Sequence, residues 1–282
     1  MQIGEALREA TVRLHRVGET GALDASRLLE HVTGLDRAAF LIHGEEALRA
    51  DVLEYYWVLV RRREAGEPIA YIVGNIGFYG RTFLVDERVL VPRPESEHLV
   101  EAAIADLRGR NKGAGTVVDV GTGSGALAIT LACELPELAV FGTDISSDAL
   151  AVARRNAAAN HVFQRCTFVG GDLLAPVERF GRVDCIIANL PYIPTDLIPV
   201  VPHPVGYEPR VALDGGPDGL DPYRRLLAQT PAVANPGASL FLEAAPGTID
   251  PLAELILAAF PEAHVEIGED YAGMDRFVSA TL

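Results

Sequence analysis

The spacing of apolar residues changes along the chain from a helical pattern to short continuous runs. Residues 1–73 place apolar side chains every three or four positions, and this spacing predicts helices. One helix is expected to begin with Asp24 as its cap, and another is expected within 45–64. Patches of strand-forming residues between 69 and 92, punctuated by glycines, predict a short β-hairpin. We therefore expect a helical domain over 1–73, joined by a hairpin linker over 74–92 to a second domain.

Beyond position 93, continuous apolar runs alternate with helical patterns. Strands are predicted at 116–120, 139–143, 166–172, 183–189, 238–243, 264–267 and 275–281, and helices at 95–107, 126–135, 146–160, 223–233 and 248–260, with a polar loop at 108–115. Alternating strands and helices indicate a mainly parallel sheet with helices on both faces. The fold class of 93–282 is therefore α/β, and ligands are expected at the carboxyl ends of its strands.

The composition and net charge of the chain limit the kinds of molecule that it is expected to bind. The chain has 282 residues, 49% of them hydrophobic, and a formal net charge of −15. It can bury a large core, and its charge argues against a protein that holds duplex DNA through phosphate contacts. Three scattered cysteines are expected to be small core residues, and the seven histidines show no metal-ligand spacing, so no metal is expected. Without a signal peptide or a run of about 18 apolar residues, a soluble, cytoplasmic protein is expected.

The first chemical motif is D-V-G-T-G-S-G, Asp119–Gly125, between a predicted strand and a predicted helix. Its glycines let the backbone turn sharply and let a ligand approach the main chain. Asp144 ends the next strand, where a carboxylate can accept hydrogen bonds from both ribose hydroxyls. The spacing differs from the G-x-G-x-x-G of dinucleotide sites, and an acid beside the loop suits a sulfonium or amino group better than pyrophosphate.

This motif resembles the first motif of S-adenosylmethionine-dependent methyltransferases. In that class, an acid at the position of Asp172 usually contacts the adenine, and Leu173 would pack on the ring. The residues expected to bind this cofactor are Asp119, Gly121, Thr122, Gly123, Ser124, Gly125, Asp144, Asp172, Leu173 and Asn189.

The second motif, Asn189-Leu190-Pro191-Tyr192, resembles the N-P-P-Y signature of methyltransferases that modify planar nitrogens. An amide nitrogen is a poor nucleophile because its lone pair is delocalised, so two acceptors must hold its N–H groups. The Asn189 side-chain oxygen and the backbone oxygen of Leu190 are expected to be those acceptors. The Tyr192 ring would lie beside the developing positive charge. Leu190 replaces a proline of the signature, although it contributes only its carbonyl and still precedes Pro191.

Further segments carry a resemblance that spans nearly the whole chain. E-P-I-A-Y-I-V-G at 67–74, the P-R-P-E-S-E segment within 78–100, and Y-E-P-R-V-A-L-D-G-G-P-D-G-L at 207–220 occur in order around the two motifs. With them, the chain resembles the PrmC/HemK family of peptide chain release factor glutamine methyltransferases. Glu95 and Glu208 in these segments are candidate pocket carboxylates, and for Glu208 a role in capping backbone N–H groups is favoured.

The resemblance implies a Rossmann-like domain with a mainly parallel seven-stranded sheet and a helical N-terminal domain that recognises the substrate. The implied reaction transfers a methyl group from S-adenosylmethionine to the N5 amide of the glutamine in the Gly-Gly-Gln loop of class I release factors. It leaves S-adenosylhomocysteine. Asn189 and Tyr192 would orient the substrate with Leu190 and Pro191, and no acid–base catalyst is assigned. Neither nucleic acid nor a membrane is an expected partner.

Three alternatives remain open from the sequence. The motifs also suit a glutamine methyltransferase of a ribosomal protein. A nucleic-acid adenine N6-methyltransferase shares the amine-holding motif, but such an enzyme needs basic grooves that the net charge disfavours. Leu190, in place of proline, allows a protein that binds S-adenosylmethionine without catalysis.

Overall fold

The computed structural model describes residues 1–111 and 113–282. These residues form two compact units, one of 1–75 with 199–207 and the other of 76–198 with 208–282. Position 112, within the predicted polar loop, lies outside the described residues. Within the described ranges, no helix is long and apolar enough to cross a membrane.

The first unit is helical, as predicted. Its helices are α1 (Ile3–Leu14), α2 (Gly21–Thr33), α3 (Arg37–Ile42), α4 (Ala50–Glu64) and α5 (Ile69–Val73). Their apolar faces meet in one core that contains Leu14, Leu28, Leu29, Tyr56 and Leu59, all fully buried. Burying such side chains stabilises the unit by roughly 1.5–3 kcal/mol for each.

Three details of this unit differ from the predicted pattern. Asp24 does not cap α2, which begins at Gly21; its carboxylate is buried and accepts a hydrogen bond from Arg63 Nε at 2.7 Å. The helix within 45–64 begins only at Ala50, and α3 was not predicted because it has only six residues. Residues 69–73, whose composition favours a strand, form α5 and so lie within the predicted helical domain 1–73; Pro68 precedes the helix and Gly74 ends it in the left-handed conformation.

Residues 199–207 lie between two stretches of the second unit but belong to the first. The Tyr207 hydroxyl donates a hydrogen bond to the Ala65 carbonyl oxygen at 2.7 Å. A Cβ atom on Gly66 would lie 1.8 Å from the Pro202 carbonyl oxygen, so only glycine allows this approach. The chain therefore passes from one unit to the other three times.

The second unit contains a larger sheet and, apart from Asn75, a small hairpin. The hairpin strands β1 (Asn75–Phe78) and β2 (Arg81–Leu84) are joined by Tyr79 and Gly80, both with positive φ, as a tight two-residue turn requires. The other elements are α6 (Ser96–Asn111), β3 (Gly115–Val120), α7 (Ala126–Glu134), β4 (Leu138–Asp144), α8 (Ser147–Ala159), β5 (Cys166–Gly170), β6 (Val183–Ala188), α9 (Asp221–Val233), β7 (Ala234–Glu243), α10 (Ile249–Ala259), β8 (His264–Glu269) and β9 (Asp275–Thr281).

The larger sheet has seven strands in the order β5-β4-β3-β6-β7-β9-β8. The first five of these are parallel, and β9 is antiparallel to both of its neighbours, β7 and β8. This confirms the predicted α/β class and its mainly parallel seven-stranded sheet. The strand order reverses direction between β3 and β6, and ligands of such sheets bind at the carboxyl ends of the strands at this point.

Alternate residues of each strand face opposite sides of the sheet. Ile187 and Phe241 face the core formed with α6, α7 and α8, whereas Ile186 and Leu240 face the core formed with α9 and α10. Of the three cysteines, Cys166 and Cys185 are buried and Cys133 is half-buried, all as free thiols.

Candidate active site

A glycine-containing turn connects β3 to α7 at the carboxyl edge of the sheet. Gly121, Gly123 and Gly125 have positive φ values of 72°, 55° and 83°. The backbone N–H groups of Gly121 and Thr122 both donate to the Thr143 carbonyl oxygen at 2.8 Å. Left-handed backbone is strained for residues that carry a Cβ atom, so this turn depends on its glycines. The turn is thereby held against the end of β4.

Asp119 lies beneath the turn and is completely buried. Its Oδ2 accepts hydrogen bonds from Thr122 Oγ1 at 2.6 Å and from the Ala128 backbone N–H at 3.2 Å. Its Oδ1 is buried without a partner among the described residues. Burial raises the pKa of Asp119 to about 7, despite the two hydrogen bonds. The carboxyl group therefore links the turn to the start of α7.

The raised pKa of Asp119 predicts a pH-dependent contribution to stability. Because the folded-state pKa of about 7 exceeds the ordinary value of 3.8, the folded protein retains the proton between these values. Stability from this group is present below pH 3.8 and is lost as the pH rises through 7. Asp119→Asn removes the titration but keeps an acceptor oxygen.

We expect Asp119→Asn to raise the free energy of unfolding, relative to wild type, by roughly 2–3 kcal/mol more at pH 8 than at pH 5. Urea denaturation at both pH values measures this difference. Asp148→Asn, on the exposed face of α8, is the matched control. An equal effect of Asp119→Asn at both pH values would contradict the assignment.

Asp144 ends β4 beside the glycine turn. Its Oδ2 accepts the Gly123 backbone N–H at 2.9 Å, and its Oδ1 accepts the Ser146 backbone N–H at 2.8 Å. Burial raises its pKa, and these two backbone donors oppose the shift. Each carboxylate oxygen retains a further lone pair. The group is therefore fixed in position and still able to accept two hydroxyl groups.

Asp172 follows β5 and has partners that the sequence analysis did not identify. Its carboxylate accepts hydrogen bonds from Arg225 Nη2 and, at 3.4 Å, from Gln229 Nε2 of α9. Leu173, next to it, has a positive φ of 49°, which is unusual for a residue with a branched side chain. The Gln229 side-chain oxygen accepts hydrogen bonds from the backbone N–H groups of Leu174 and Ala175, so α9 fixes the chain that follows β5.

The Asn189-Leu190-Pro191-Tyr192 motif begins where β6 ends. Asn189 Nδ2 donates to Ser96 Oγ at 3.1 Å. The Leu190 side chain is buried, and its carbonyl oxygen accepts a hydrogen bond from the Tyr223 hydroxyl at 3.2 Å. The same hydroxyl donates to the Glu243 carbonyl oxygen. Tyr223 thus connects the tips of β6 and β7 and restrains the carbonyl that lacks the rigidity of a proline.

Tyr192 is half-buried, and burial raises its pKa to about 12. The residues after it pair with the segment 207–220. The Ile193 backbone N–H donates to the Leu213 carbonyl oxygen at 3.0 Å, and Thr195 Oγ1 donates to Asp214 Oδ1 at 2.6 Å. The segment that follows Tyr207 in the sequence therefore holds the chain that leaves the motif.

Glu208 caps a backbone N–H group, as favoured from the sequence. Its buried carboxylate accepts the Val91 N–H at 3.3 Å and pairs with Arg93 Nη2 at 2.5 Å. Burial raises its pKa, and the Arg93 charge opposes the shift. Glu95, in contrast, is only half-buried. The P-R-P-E-S-E segment is thus fastened to the segment 207–220.

A cavity of about 230 Å³ opens at this edge of the sheet. The predicted residues that line it are Gly121, Gly123, Asp144, Asp172, Leu173, Asn189, Leu190 and Pro191. Thr122 and Ser124 line a smaller cavity that shares Gly121, Gly123 and Asn189 with the first. Asp119, Gly125 and Tyr192 line neither cavity. The glycine turn and the Asn189 motif therefore face a common space, although they are 68 positions apart in the chain.

Sequence reasoning missed four side chains of this region, namely Ser96, Tyr223, Arg225 and Glu243. Glu243 had a detectable signal, because it closes an apolar strand in the same way that Asn189 follows β6. Tyr223 and Arg225 had none, since only the packing of α9 against the sheet brings them to the motifs.

Comparison with known proteins identifies relatives of both halves of the chain. The model of the PrmC N-terminal domain matches residues 5–74, and the model of the methyltransferase small domain matches residues 100–196. The release factor glutamine methyltransferase of Moorella thermoacetica is 40% identical over 277 residues, which cover 98% of this chain and 97% of that protein. The protein of the same name from Deinococcus radiodurans is 40% identical over 281 residues, covering 99% and 98%.

Solved structures agree on the fold. An S-adenosylmethionine-dependent methyltransferase from Agrobacterium tumefaciens superposes with a TM-score of 0.52 at 14% sequence identity, covering 73% of this chain and 68% of that one. At this identity the likeness shows the fold of the second unit and nothing about its substrate.

Proposed function

Because the chain belongs to the family of release factor glutamine methyltransferases, we propose that it methylates the N5 amide of a release factor glutamine. The methyl donor is S-adenosylmethionine, and the glutamine is that of the Gly-Gly-Gln loop of class I release factors. The observation that carries the proposal is the common cavity of Asn189, the glycine turn and Asp144.

The residues around the cavity fit the cofactor. The Asp144 carboxylate is positioned for the two ribose hydroxyls, and the turn at Gly121 and Gly123 exposes backbone rather than side chains to the cavity. Leu173 offers an apolar surface for an adenine ring, beside the Asp172 carboxylate. When bound, S-adenosylmethionine would supply a methyl group whose carbon is electrophilic because it is attached to a positively charged sulfur.

The ionised Asp144 carboxylate beside the cavity favours a cationic ligand, whereas burial keeps Asp119 largely protonated below pH 7. We expect Asp119 to act through the turn, because its oxygens contact Thr122 and Ala128 and not the cavity. Its direct contact with the cofactor stays a prediction.

Asn189 and Leu190 supply the two acceptors for the substrate amide. The Asn189 side-chain oxygen and the Leu190 carbonyl oxygen accept hydrogen bonds from the two N–H groups of the glutamine side chain. They thereby direct its nitrogen lone pair into the cavity. This costs the amide part of its resonance, which positioning by fixed dipoles offsets. The methylated nitrogen is cationic, and its proton becomes acidic only then and leaves to water or a nearby carbonyl oxygen, so a strong base is not required. Tyr192 would present its ring next to the nitrogen that gains positive charge.

A release factor in solution offers the glutamine on a protein loop, so no nucleic-acid surface is needed. The net charge of −15 suits a protein partner and opposes binding through phosphates.

Mass spectrometry of the Gly-Gly-Gln peptide tests the proposal after a release factor is incubated with this protein and S-adenosylmethionine. A gain of one methyl group on the glutamine side chain is expected. Parallel reactions with ribosomal proteins and with an adenine-containing oligonucleotide test the other substrate classes. Cofactor binding without methylation of the release factor would reject the proposal.

Leu190→Pro restores the residue of the N-P-P-Y signature and is expected to leave turnover unchanged or slightly raised. Only the carbonyl of this residue serves the substrate, and the Tyr223 hydrogen bond already restrains it. The Leu190 side chain is buried, so we expect a loss of about 1–3 kcal/mol in the free energy of unfolding. Steady-state kinetics and urea denaturation measure the two effects. A large fall in turnover would show that the leucine side chain itself shapes the site.

A further inference from the structure

Glu243 lies directly beside Asn189 at the carboxyl edge of the sheet. In the parallel ladder of β6 and β7, Ala188 is paired with Leu242, so Asn189 and Glu243 are the next residues on adjacent strands. Side chains alternate between the faces of a strand. Asn189 and Glu243 therefore share the face of Ile187 and Phe241, which α6 covers.

The first residue of α6 completes this cluster. Ser96 and Glu243 are each only 3% exposed, and Asn189 Nδ2 donates to Ser96 Oγ at 3.1 Å. The Glu243 Oε2 atom is buried without a hydrogen-bond partner among the described residues. A buried carboxyl oxygen without a partner is costly, and the reaction assigned above does not use it.

The Ser96 hydroxyl alone does not decide which way the Asn189 amide points. A hydroxyl group both donates and accepts, so it can face either the nitrogen or the oxygen of a carboxamide. An ionised carboxylate only accepts, so it attracts the amide nitrogen and repels the amide oxygen. A carboxylate at the back of Asn189 thus directs the Asn189 oxygen forward into the cavity.

We propose that Glu243 is a positioning residue that holds the Asn189 carboxamide with its oxygen directed at the substrate amide. The inference rests on the proposed role of Asn189. Glu243 acts through Asn189, and no contact between Glu243 and the substrate is required.

The surroundings of Glu243 make this orientation sensitive to pH. Burial raises the pKa of Glu243 to about 7, and the nearby charge of Glu95 adds to the shift. The Ser96 hydroxyl, the Asn189 amide and the Arg276 guanidinium oppose it. The Glu243 charge also acts on the hydroxyl groups of Tyr192 and Tyr223. The positive charges of Arg93 and Arg276 act on the Tyr192 hydroxyl as well.

Protonation changes which end of the Asn189 amide the Glu243 carboxyl group attracts, from the nitrogen to the oxygen. Below pH 7, protonated Glu243 has an O–H donor that can bond to the Asn189 oxygen and turn it away from the cavity. Turnover should therefore rise as the pH increases through about 7.

Glu243→Gln tests the proposal with nearly the same volume, because a glutamine amide both donates and accepts. At pH 8 we expect kcat to fall by about ten- to a hundredfold, with the Kd for S-adenosylmethionine within about threefold of wild type. The rise in kcat between pH 6 and pH 8 should disappear in this variant. Glu266→Gln, exposed on β8, is the control and should keep wild-type kinetics. Wild-type kcat and pH profile in Glu243→Gln would overturn the proposal.

Ser96→Ala separates positioning from general damage to the site. This variant keeps the carboxylate, so it should lose less activity than Glu243→Gln and retain the rise in kcat with pH. Loss of that rise in Ser96→Ala would contradict the assignment to Glu243.

Nuclear magnetic resonance tests the orientation without any turnover. The side-chain amide signals of Asn189, identified by their absence in Asn189→Ala, should shift between pH 6 and pH 8 in the wild type and not in Glu243→Gln. Constant signals in the folded wild type would overturn the proposal, whether or not the protein methylates a release factor. If the release factor is methylated but the Asn189 signals do not shift with pH, the proposed function stands and only the role of Glu243 is rejected.

Discussion

Asn189→Ala is expected to lower kcat by about a hundred- to a thousandfold, the usual cost of removing one fixed hydrogen-bond partner from a reacting group. The substitution removes one of the two acceptors that we propose hold the substrate amide. Its effect should appear in kcat more than in cofactor affinity, because the hydrogen bond strengthens as the amide loses resonance. Single-turnover methyl transfer and calorimetric binding of S-adenosylmethionine measure the two quantities.

Asn235→Ala is the matched control for this experiment. Asn235 bonds to Asp184 Oδ1 at 2.8 Å near the start of β6 and β7, at the opposite edge of the sheet. It should retain wild-type turnover, apart from any loss of stability. Equal losses of turnover and cofactor affinity in Asn189→Ala would contradict the assigned role, since they would indicate a general collapse of the cavity.

Asp144→Ala is expected to weaken S-adenosylmethionine binding by about a hundredfold, or about 2.7 kcal/mol. Two effects add in this variant. The ribose would lose the charged acceptor that we propose for it, whose hydrogen bonds are worth about 1.5–3 kcal/mol each. The Gly123 and Ser146 N–H groups also lose their partner.

Two further variants separate these effects. Asp144→Asn keeps one acceptor oxygen and should lose less affinity than Asp144→Ala. Asp148→Ala, exposed four residues later, should bind the cofactor as the wild type does. Calorimetry at pH 8 measures all three, and unchanged affinity in Asp144→Ala would reject the ribose assignment.

The sheet could be predicted from the sequence because its strands are short apolar runs between glycines and helices. Buried parallel strands are apolar on both faces, so VDCIIA of β6 and TVVDV of β3 are recognisable without any tertiary information. The motif Asp119–Gly125 begins on the last two residues of β3, and Asn189 directly follows β6, so their meeting at one edge was predictable too.

The hairpin region was harder to predict because local composition and tertiary packing disagree there. Residues 69–73 have strand-forming composition, yet Pro68 and Gly74 delimit a helical turn that buries Ile72 and Val73 in the first core. Packing overrides weak propensity in so short a segment. The same limit applies to Asp24, whose buried partner Arg63 is 39 positions away.

Tertiary contacts also account for the site residues that were missed. Ser96 and Glu243 meet Asn189 only because α6 covers the face on which both strands end. Asp172 was identified at its strand end, but its partner Arg225 depends on the position of α9. A single sequence indicates which side chains end strands, and it does not indicate which helices reach them.

Because residues 199–207 belong to the first compact unit, the enzyme cannot simply be truncated between the two units. A fragment that starts at residue 76 would keep the segment but lose Ala65 and Gly66, to which Tyr207 and Pro202 are fitted. The loosened loop would begin only ten residues after Asn189. The N-terminal helices are therefore not a detachable module, and a chimaera that exchanges them must exchange 199–207 as well.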